Sequence, residues 1–97
     1  MKKNFNENLK ELDGRDVLRD DKVVTMKTIV VEALMAALPN DRSTGEQKFK
    51  KFQIATKISG DELSVDLTPE EIVLIKECVG AIYSPLVVGQ IFTTLNK

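Results

Sequence analysis

Residues 67–95, LTPEEIVLIKECVGAIYSPLVVGQIFTTL, decide the fold of this chain. Thr68 precedes Pro69, and a threonine cap followed by proline at the first helical position is typical of a helix start. Glu71 stands three residues after Thr68, which is the spacing of a capping box. Ser84-Pro85 repeats the cap-and-proline signal further on. The stretch therefore predicts two helices joined by a sharp corner, at 69–83 and 85–95.

Two more helices are predicted upstream. From Thr25 the apolar residues recur at helical spacing over most of the circumference, which predicts a helix that ends at Leu38, before a proline. Ser43 or Thr44 can cap another helix that runs to about Ser59. The predicted inward residues are Met26, Ile29, Val30, Ala33, Leu34 and Ala37 in the first helix, Phe49, Phe52, Ala55 and Ile58 in the second, with Ile54 at its margin, and Ile72, Ile75, Val79 and Ile82 in the third.

The front of the chain predicts a small β element. Asp13-Gly14 between short mixed segments is typical of a tight hairpin turn, since glycine adopts positive φ without steric cost. A second polar turn follows at 19–22, and the alternation at 62–67 predicts a strand beside the hairpin. Residues 1–8 are polar and are predicted to be flexible. We expect one mainly α domain over residues 9–97, a compact bundle of about four helices with a short N-terminal β-hairpin, α+β being the alternative class.

Composition narrows the class of protein. A chain of 97 residues with 42% hydrophobic and 30% charged residues is typical of a single globular domain. Fourteen basic and fifteen acidic side chains leave a net charge of −1, so no global field attracts nucleic acid or an anionic membrane. The one cysteine, Cys78, excludes an intramolecular disulfide and fits a reducing compartment. Neither a signal peptide nor a clean membrane span is predicted, so we expect a cytoplasmic protein.

The side chains that usually carry catalysis are few. The chain has no histidine, the common general base at neutral pH. Cys78 follows Lys76 and Glu77, but adjacent residues of a helix point apart, so a buried structural cysteine is expected. The acidic pairs lack the spacing of a calcium loop, and the glycines do not form a phosphate loop. We therefore predict no enzyme, no catalytic residue, no metal site and no cofactor.

The basic segment at 48–57 offers one candidate site. Lysines with interleaved aromatic rings are the residues with which single-strand binders hold phosphates and bases. The helical spacing, however, favours inward packing of Phe49 and Phe52, which would leave only solvated lysines. Binding of nucleic acid is therefore the alternative function, and its candidate residues are Lys48, Lys50, Lys51 and Lys57.

The apolar helix faces offer a second candidate site. The first helix and the last two carry more aliphatic surface than one small core needs, which often indicates a partner or self-association. The favoured function is therefore protein–protein interaction, with another protein or with a second copy as the partner. The candidate interaction residues are Val31, Met35, Ile82, Val88, Ile91, Phe92 and Leu95.

The order of motifs also resembles a known group of proteins. A DGRDVL hairpin at 13–18 precedes VEALMA at 31–36, GEQKFKKFQIATKI at 45–58, LTPEEIVLIKECVG at 67–80 and SPLVVGQ at 84–90. This pattern resembles small proteins of tailed bacteriophages and prophages, most of which have no assigned function. The resemblance implies a phage or prophage origin, a bacterial host cytoplasm and a non-enzymatic role. Tail-assembly chaperones, replication accessories, regulators and inhibitors of host defence proteins all occur in that group.

Overall fold

Four helices account for most of the regular structure in the part of the chain that the structure describes, and threonine side chains start three of them. A computed structural model describes residues 1–37, 42–60, 62 and 64–97. The helices are α1 (Met26–Met35), α2 (Gly45–Ile58), α3 (Pro69–Ile82) and α4 (Pro85–Leu95). The hydroxyls of Thr25, Thr44 and Thr68 each accept a hydrogen bond from the backbone amide three residues later.

The helix boundaries predicted from capping signals are confirmed at α2, α3 and α4. Thr44 with Gln47, and Thr68 with Glu71, form complete capping boxes in which each side chain bonds the other residue's amide. Ser84 also precedes its helix, without a side-chain cap bond. The first helix is shorter than predicted: the backbone is already extended at Ala36, and the predicted stop at Leu38 lies outside the described residues.

Two pairs of short antiparallel strands complete the fold of the described residues. They are β1 (Lys2–Lys3) with β4 (Val65–Asp66), and β2 (Leu18–Arg19) with β3 (Lys22–Val23). In the first pair Lys2 lies opposite Asp66, and in the second Leu18 lies opposite Val23. The strand at 65–66 was predicted to lie beside the hairpin. It pairs with the N-terminus instead.

The predicted turn at Asp13-Gly14 is present. Gly14 has a φ of 91°, and Lys10 bridges Asp16 across the turn. The amide of Val17 donates to the carbonyl of Leu9 at 2.9 Å, which continues this ladder. Leu9 is fully buried, so the ribbon packs on the helices through that residue. The combination of four helices and a short β-hairpin confirms the predicted mainly α class.

The N-terminal segment differs from the prediction of a flexible stretch at 1–8. Lys2–Lys3 forms a strand, and Phe5 is only 2% exposed. The carbonyl of Phe5 accepts the amide of Lys27 at 2.8 Å, so the segment also contacts the start of α1. A single large apolar side chain in a polar stretch supplies the burial that holds the segment in place.

The core lies where α1 faces α2 and α3, and α4 closes it. Its largest fully buried side chains come from every layer of the fold: Phe5 and Leu9 before α1, Ile29 and Val30 from α1, Ile58 from α2, Leu67 before α3, Ile75 and Val79 from α3, and Ile91 from α4. No helix in the described part of the chain is both long and apolar enough to cross a membrane.

Candidate protein-interaction surface

The phenylalanines of α2 point to solvent. The side chains that α2 buries are Ile54, Ala55 and Ile58. At about 100° of rotation per residue, Phe49 lies nearly opposite the centre of that arc. Phe49 is 54% exposed and Phe52 is 51% exposed. The predicted inward packing of these two rings is therefore wrong.

The error has a physical cause. Two overlapping stripes run along α2. One contains Phe49, Phe52, Ala55 and Ile58, and the other, rotated from the first, contains residues 54 and 58. The periodicity of the sequence does not show which of the two stripes faces inward. The contacts with α1 select the stripe of Ile54 and Ile58, whose branched side chains are buried in the core.

Two adjoining clefts run from Phe52 across the end of α1. The first has a volume of about 270 Å³ and the second of about 110 Å³. Ala36 and Lys51 line both clefts, so the two clefts form one continuous groove. We call it the α1–α2 groove and define it by six of the residues that line it: Met35, Ala36, Lys48, Lys51, Phe52 and Ile82.

The α1–α2 groove joins residues from both of the predicted sites. Met35 and Ile82 belong to the predicted apolar surface, and they are 55% and 37% exposed. Lys48 and Lys51 belong to the predicted basic site. Phe52 stands between these two kinds of residue, with Phe49 one turn before it on α2. The arrangement is an apolar strip with lysines along one border.

A hydrogen-bonded cluster fixes the helices that border the groove. Tyr83, directly after α3, donates its hydroxyl to Glu32 of α1 at 3.1 Å. Arg19 of β2 donates to both oxygens of the same carboxylate, at 2.8 and 3.0 Å. Burial raises the pKa of the Tyr83 hydroxyl, and the neighbouring Glu32 carboxylate raises it further. The cluster therefore holds the end of α3, and with it Ile82, against α1.

Most of the other predicted interaction residues lie elsewhere. Ile91 and Leu95 are buried in the core, so they are unavailable to a partner in the folded chain. Val31 and Val88 are half-buried and pack against that core. Phe92 is also half-buried, with the Lys76 ammonium 5.4 Å from its ring centroid. The prediction for Ile91 and Leu95 is wrong because the apolar face of α4 is what closes the core.

The four predicted lysines fall into two groups. Lys57 donates to the backbone carbonyl of Asp66 at 2.8 Å and to the Glu71 carboxylate at 3.1 Å, which ties α2 to β4 and α3. Lys51 donates to the Ser43 hydroxyl at 3.1 Å. Lys48 and Lys50 are exposed on the same turn of α2. The structure thus gives Lys57 a bracing contact and places the exposed Lys48 and Lys50 on the same part of α2 as the two phenylalanines.

Sequence reasoning also missed a second exposed apolar group. Leu12, at the tip of the first turn, is 97% exposed, and Leu18 is exposed in β2. Together with Leu86 of α4 they line an open cleft whose other side chains are charged. The sequence predicts the Asp13-Gly14 turn, but the local turn signal does not show that Leu12 beside it is exposed. Leu9 and Val17, on either side of the turn, pack against the core.

No three histidine, cysteine, aspartate or glutamate side chains within the described residues are grouped as metal ligands would be. Cys78 is buried in α3, as its apolar neighbours on the helix predict. No protein-family model, no curated protein and no solved structure matches this chain.

Proposed function

We propose that this chain is a non-enzymatic interaction protein that docks another protein through the α1–α2 groove and the two phenylalanines beside it. The observation that carries the proposal is the half-exposed pair Phe49 and Phe52, on a helix whose inward face is already filled by Ile54, Ala55 and Ile58. A fully buried phenylalanine is stabilised by roughly 1.5–3 kcal/mol relative to an exposed one. Burial of both rings against a partner would contribute part of that free energy to binding.

The cellular setting is part of the same proposal. The resemblance to small proteins of tailed phages and prophages supports a role as an assembly or accessory protein in the cytoplasm of a bacterial host. An inhibitor of a host defence protein would use the same kind of surface, because inhibition by a small non-enzymatic protein requires a docking face. The partner's pathway is what the experiment below identifies.

The test is a capture experiment from bacterial lysate with tagged protein and matched variants. Phe49→Ser combined with Phe52→Ser removes both rings, and Val73→Ser removes an exposed apolar side chain of α3 outside the groove. We expect proteins captured by the wild type and by Val73→Ser to be lost from the double variant. Circular dichroism should show equal helix content in all three, because none of these side chains is buried. Identical capture by all three would contradict the proposal.

Binding of single-stranded nucleic acid is a second candidate, and one observation favours it. Nucleic-acid binding was the less favoured function because Phe49 and Phe52 were expected to pack inward. Both rings are instead exposed, on the same part of α2 as Lys48 and Lys50. Stacking of a base on an aromatic ring contributes about 1–3 kcal/mol. In the capture experiment this function predicts that nuclease removes the captured material. Direct binding of a labelled oligothymidylate should then weaken steeply with added salt.

A further inference from the structure

A cleft between residues 6–12 and the outer face of α4 has the size of a ligand site. Its volume is about 890 Å³, within the roughly 300–1,000 Å³ that is usual for such sites. We call it the α4 cleft and define it by six of the residues that line it: Asn8, Lys10, Glu11, Leu86, Gln90 and Thr93. The open cleft at the first turn shares Glu11, Leu12 and Leu86 with it, so the two clefts are continuous.

The backbone of Asn8 points into the α4 cleft. Asn8 lies opposite Thr25 in an antiparallel pair. The hydrogen bonds of this pair are made by the residues on either side of Asn8, at 2.9 Å from the amide of Met26 and at 2.8 Å to the carbonyl of Val24. In such a pair the two facing residues direct their own amide and carbonyl groups away from each other. Those groups of Asn8 are therefore directed to the other side, where Asn8 lines the cleft.

The side chain of Gln90 shows which chemical group this edge accepts. Lys10 follows Asn8 by two residues, so its backbone groups point the same way. The Gln90 carboxamide accepts the Lys10 amide and donates to the Lys10 carbonyl, both at 2.8 Å. A carboxamide has the donor and the acceptor of a peptide group, so Gln90 takes the place of one residue of a neighbouring strand. Among the described residues, none forms the corresponding bonds with the backbone of Asn8.

This edge selects an extended peptide. Asn8 and Lys10 are two residues apart, which is the spacing at which one strand exchanges pairs of hydrogen bonds with the next. A peptide in extended conformation has unpaired amides and carbonyls to offer, whereas a helix has already paired its own. Across the cleft, a side chain at Gly89 would meet no atom within 4 Å, so this face of α4 leaves room for a second chain.

Exposed leucines lie at one end of the combined cleft. Leu12 is 97% exposed and Leu18 is 60% exposed, and Leu86 of α4 lines the same depression. The fold does not use these two side chains of the ribbon, because Leu9 and Val17 supply its contact with the core. An apolar side chain of the peptide can therefore be covered at this end.

The ion pairs at the same end determine the charge of the peptide. Arg15 pairs with Asp13, and Lys10 pairs with Asp16. The Glu11 carboxylate takes part in no ion pair within the described residues. Because the two pairs are each neutral, Glu11 gives this end of the cleft a net negative charge. A complementary peptide carries a lysine or an arginine there.

We propose that the α4 cleft binds an extended, basic peptide segment of another protein. The peptide pairs its backbone with Asn8 and Lys10 and displaces the Gln90 carboxamide, whose two bonds it replaces. An apolar side chain of the peptide covers Leu12, and a basic side chain lies near Glu11. This inference goes beyond the proposed function, because it concerns a second surface that shares no residue with the α1–α2 groove.

A selection from a displayed library of short, unstructured peptides supplies the probe. The immobilised full chain should enrich peptides that combine an apolar residue with lysine or arginine. The strongest peptide, labelled for fluorescence anisotropy, is then methylated at one backbone nitrogen at a time. Methylation removes a donor and keeps every side chain. At the nitrogens that face Asn8 or Lys10 it should weaken binding about tenfold.

Two substitutions at Asn8 separate its backbone from its side chain. Asn8→Pro removes the amide donor, and proline is tolerated at a strand edge whose amide is unpaired. This variant should bind the labelled peptide about tenfold more weakly. Asn8→Ala keeps the amide and should bind like the wild type. Gln90→Ala should bind about fivefold more tightly, because the peptide then displaces no bonded side chain.

A matched pair of substitutions tests the charge. Glu11→Gln should weaken binding of the peptide about threefold. Glu70→Gln removes an exposed charge of α3 that does not line the cleft, and it should leave the affinity unchanged. Equal affinities of these two variants, or enriched peptides without a basic excess, would overturn the assigned charge of the partner.

The other failures are also distinguishable. Affinity that no backbone methylation changes would overturn the pairing, even where Asn8→Pro does not fold. Binding that is lost in the variant with both Phe49→Ser and Phe52→Ser, but kept in Asn8→Pro, would move the peptide to the α1–α2 groove and overturn this inference while it supports the proposed function. A dimer that dissociates on Asn8→Pro would make a second copy the occupant. Loss of every partner of the α1–α2 groove would leave the α4 cleft and its peptide unaffected.

Discussion

Two aspartates hold an unusual backbone conformation in the turn between β2 and β3. Asp20 has a φ of 52° and Asp21 a φ of 64°. Positive φ at both central residues is the feature of a type I′ turn, whose twist matches that of the flanking strands. Aspartate tolerates this region better than most residues, but glycine adopts it without strain. Asp20 and Asp21 therefore occupy positions whose backbone geometry favours glycine.

Asp21→Gly should raise the free energy of unfolding by about 0.5–1 kcal/mol, because it relieves the positive-φ strain at the second turn position. Urea denaturation followed by circular dichroism measures this change. Asp21→Asn is the control for charge, since asparagine keeps the tolerance of positive φ while it removes the carboxylate. Asp21→Ala should lower stability. A stabilisation as large in Asp21→Asn as in Asp21→Gly would assign the effect to charge repulsion with Asp20 instead.

At the scale of the elements, the start of α3 depends on the ionisation of one side chain. Partial burial raises the pKa of Glu71, but the backbone amide of Thr68 and the ammonium of Lys57 outweigh it and leave that pKa below its ordinary value. The carboxylate accepts those bonds at 2.8 Å from Thr68 and 3.1 Å from Lys57. One carboxylate thus completes the cap of α3 and joins it to α2.

A lowered pKa in the fold means that the contribution of Glu71 to stability is complete above its ordinary pKa of 4.5. It is lost as the pH falls below that value and through the lower pKa of the folded state. Glu71→Gln should therefore show a flatter loss of stability than the wild type below about pH 4.5, measured as urea midpoints across the acid range. Glu70→Gln removes the same charge one residue earlier. An equal flattening in that control would attribute the effect to the helix dipole alone.

The helix boundaries were predictable because capping is local. Thr44 and Thr68 act on amides three residues away, so the information lies within one turn of sequence. The rotation of α2 was not predictable in the same way. Whether Phe52 or Ile54 faces inward depends on the side chains that α1 and α3 present, and those come from distant parts of the chain. The place of Phe52 in the candidate site was missed for this reason, although Lys48, Lys51, Met35 and Ile82 were identified.

At the scale of the whole molecule, the N-terminus connects parts that are far apart in sequence. The ammonium group of Met1 pairs with Asp66 at 2.8 Å, and the Lys3 ammonium donates to the carbonyl of Lys97. The Met1 amine lowers the pKa of the Asp66 carboxyl through that hydrogen bond. Between these contacts Phe5 enters the core. The polar composition of residues 1–8 concealed this role, because one buried ring outweighs several solvated neighbours.

Phe5→Ala should therefore destabilise the whole chain, since a buried phenylalanine truncated to alanine loses about 3–5 kcal/mol. Phe49→Ala is the matched control: the same substitution at a half-exposed ring should change stability by about 0.5 kcal/mol or less. Urea denaturation gives both values. A Phe5→Ala midpoint equal to that of the wild type would mean that residues 1–8 do not pack as described. Because the control also removes a ring of the docking surface, a stable Phe49→Ala that no longer binds its partner would separate the residues that build this fold from those that face outward from it.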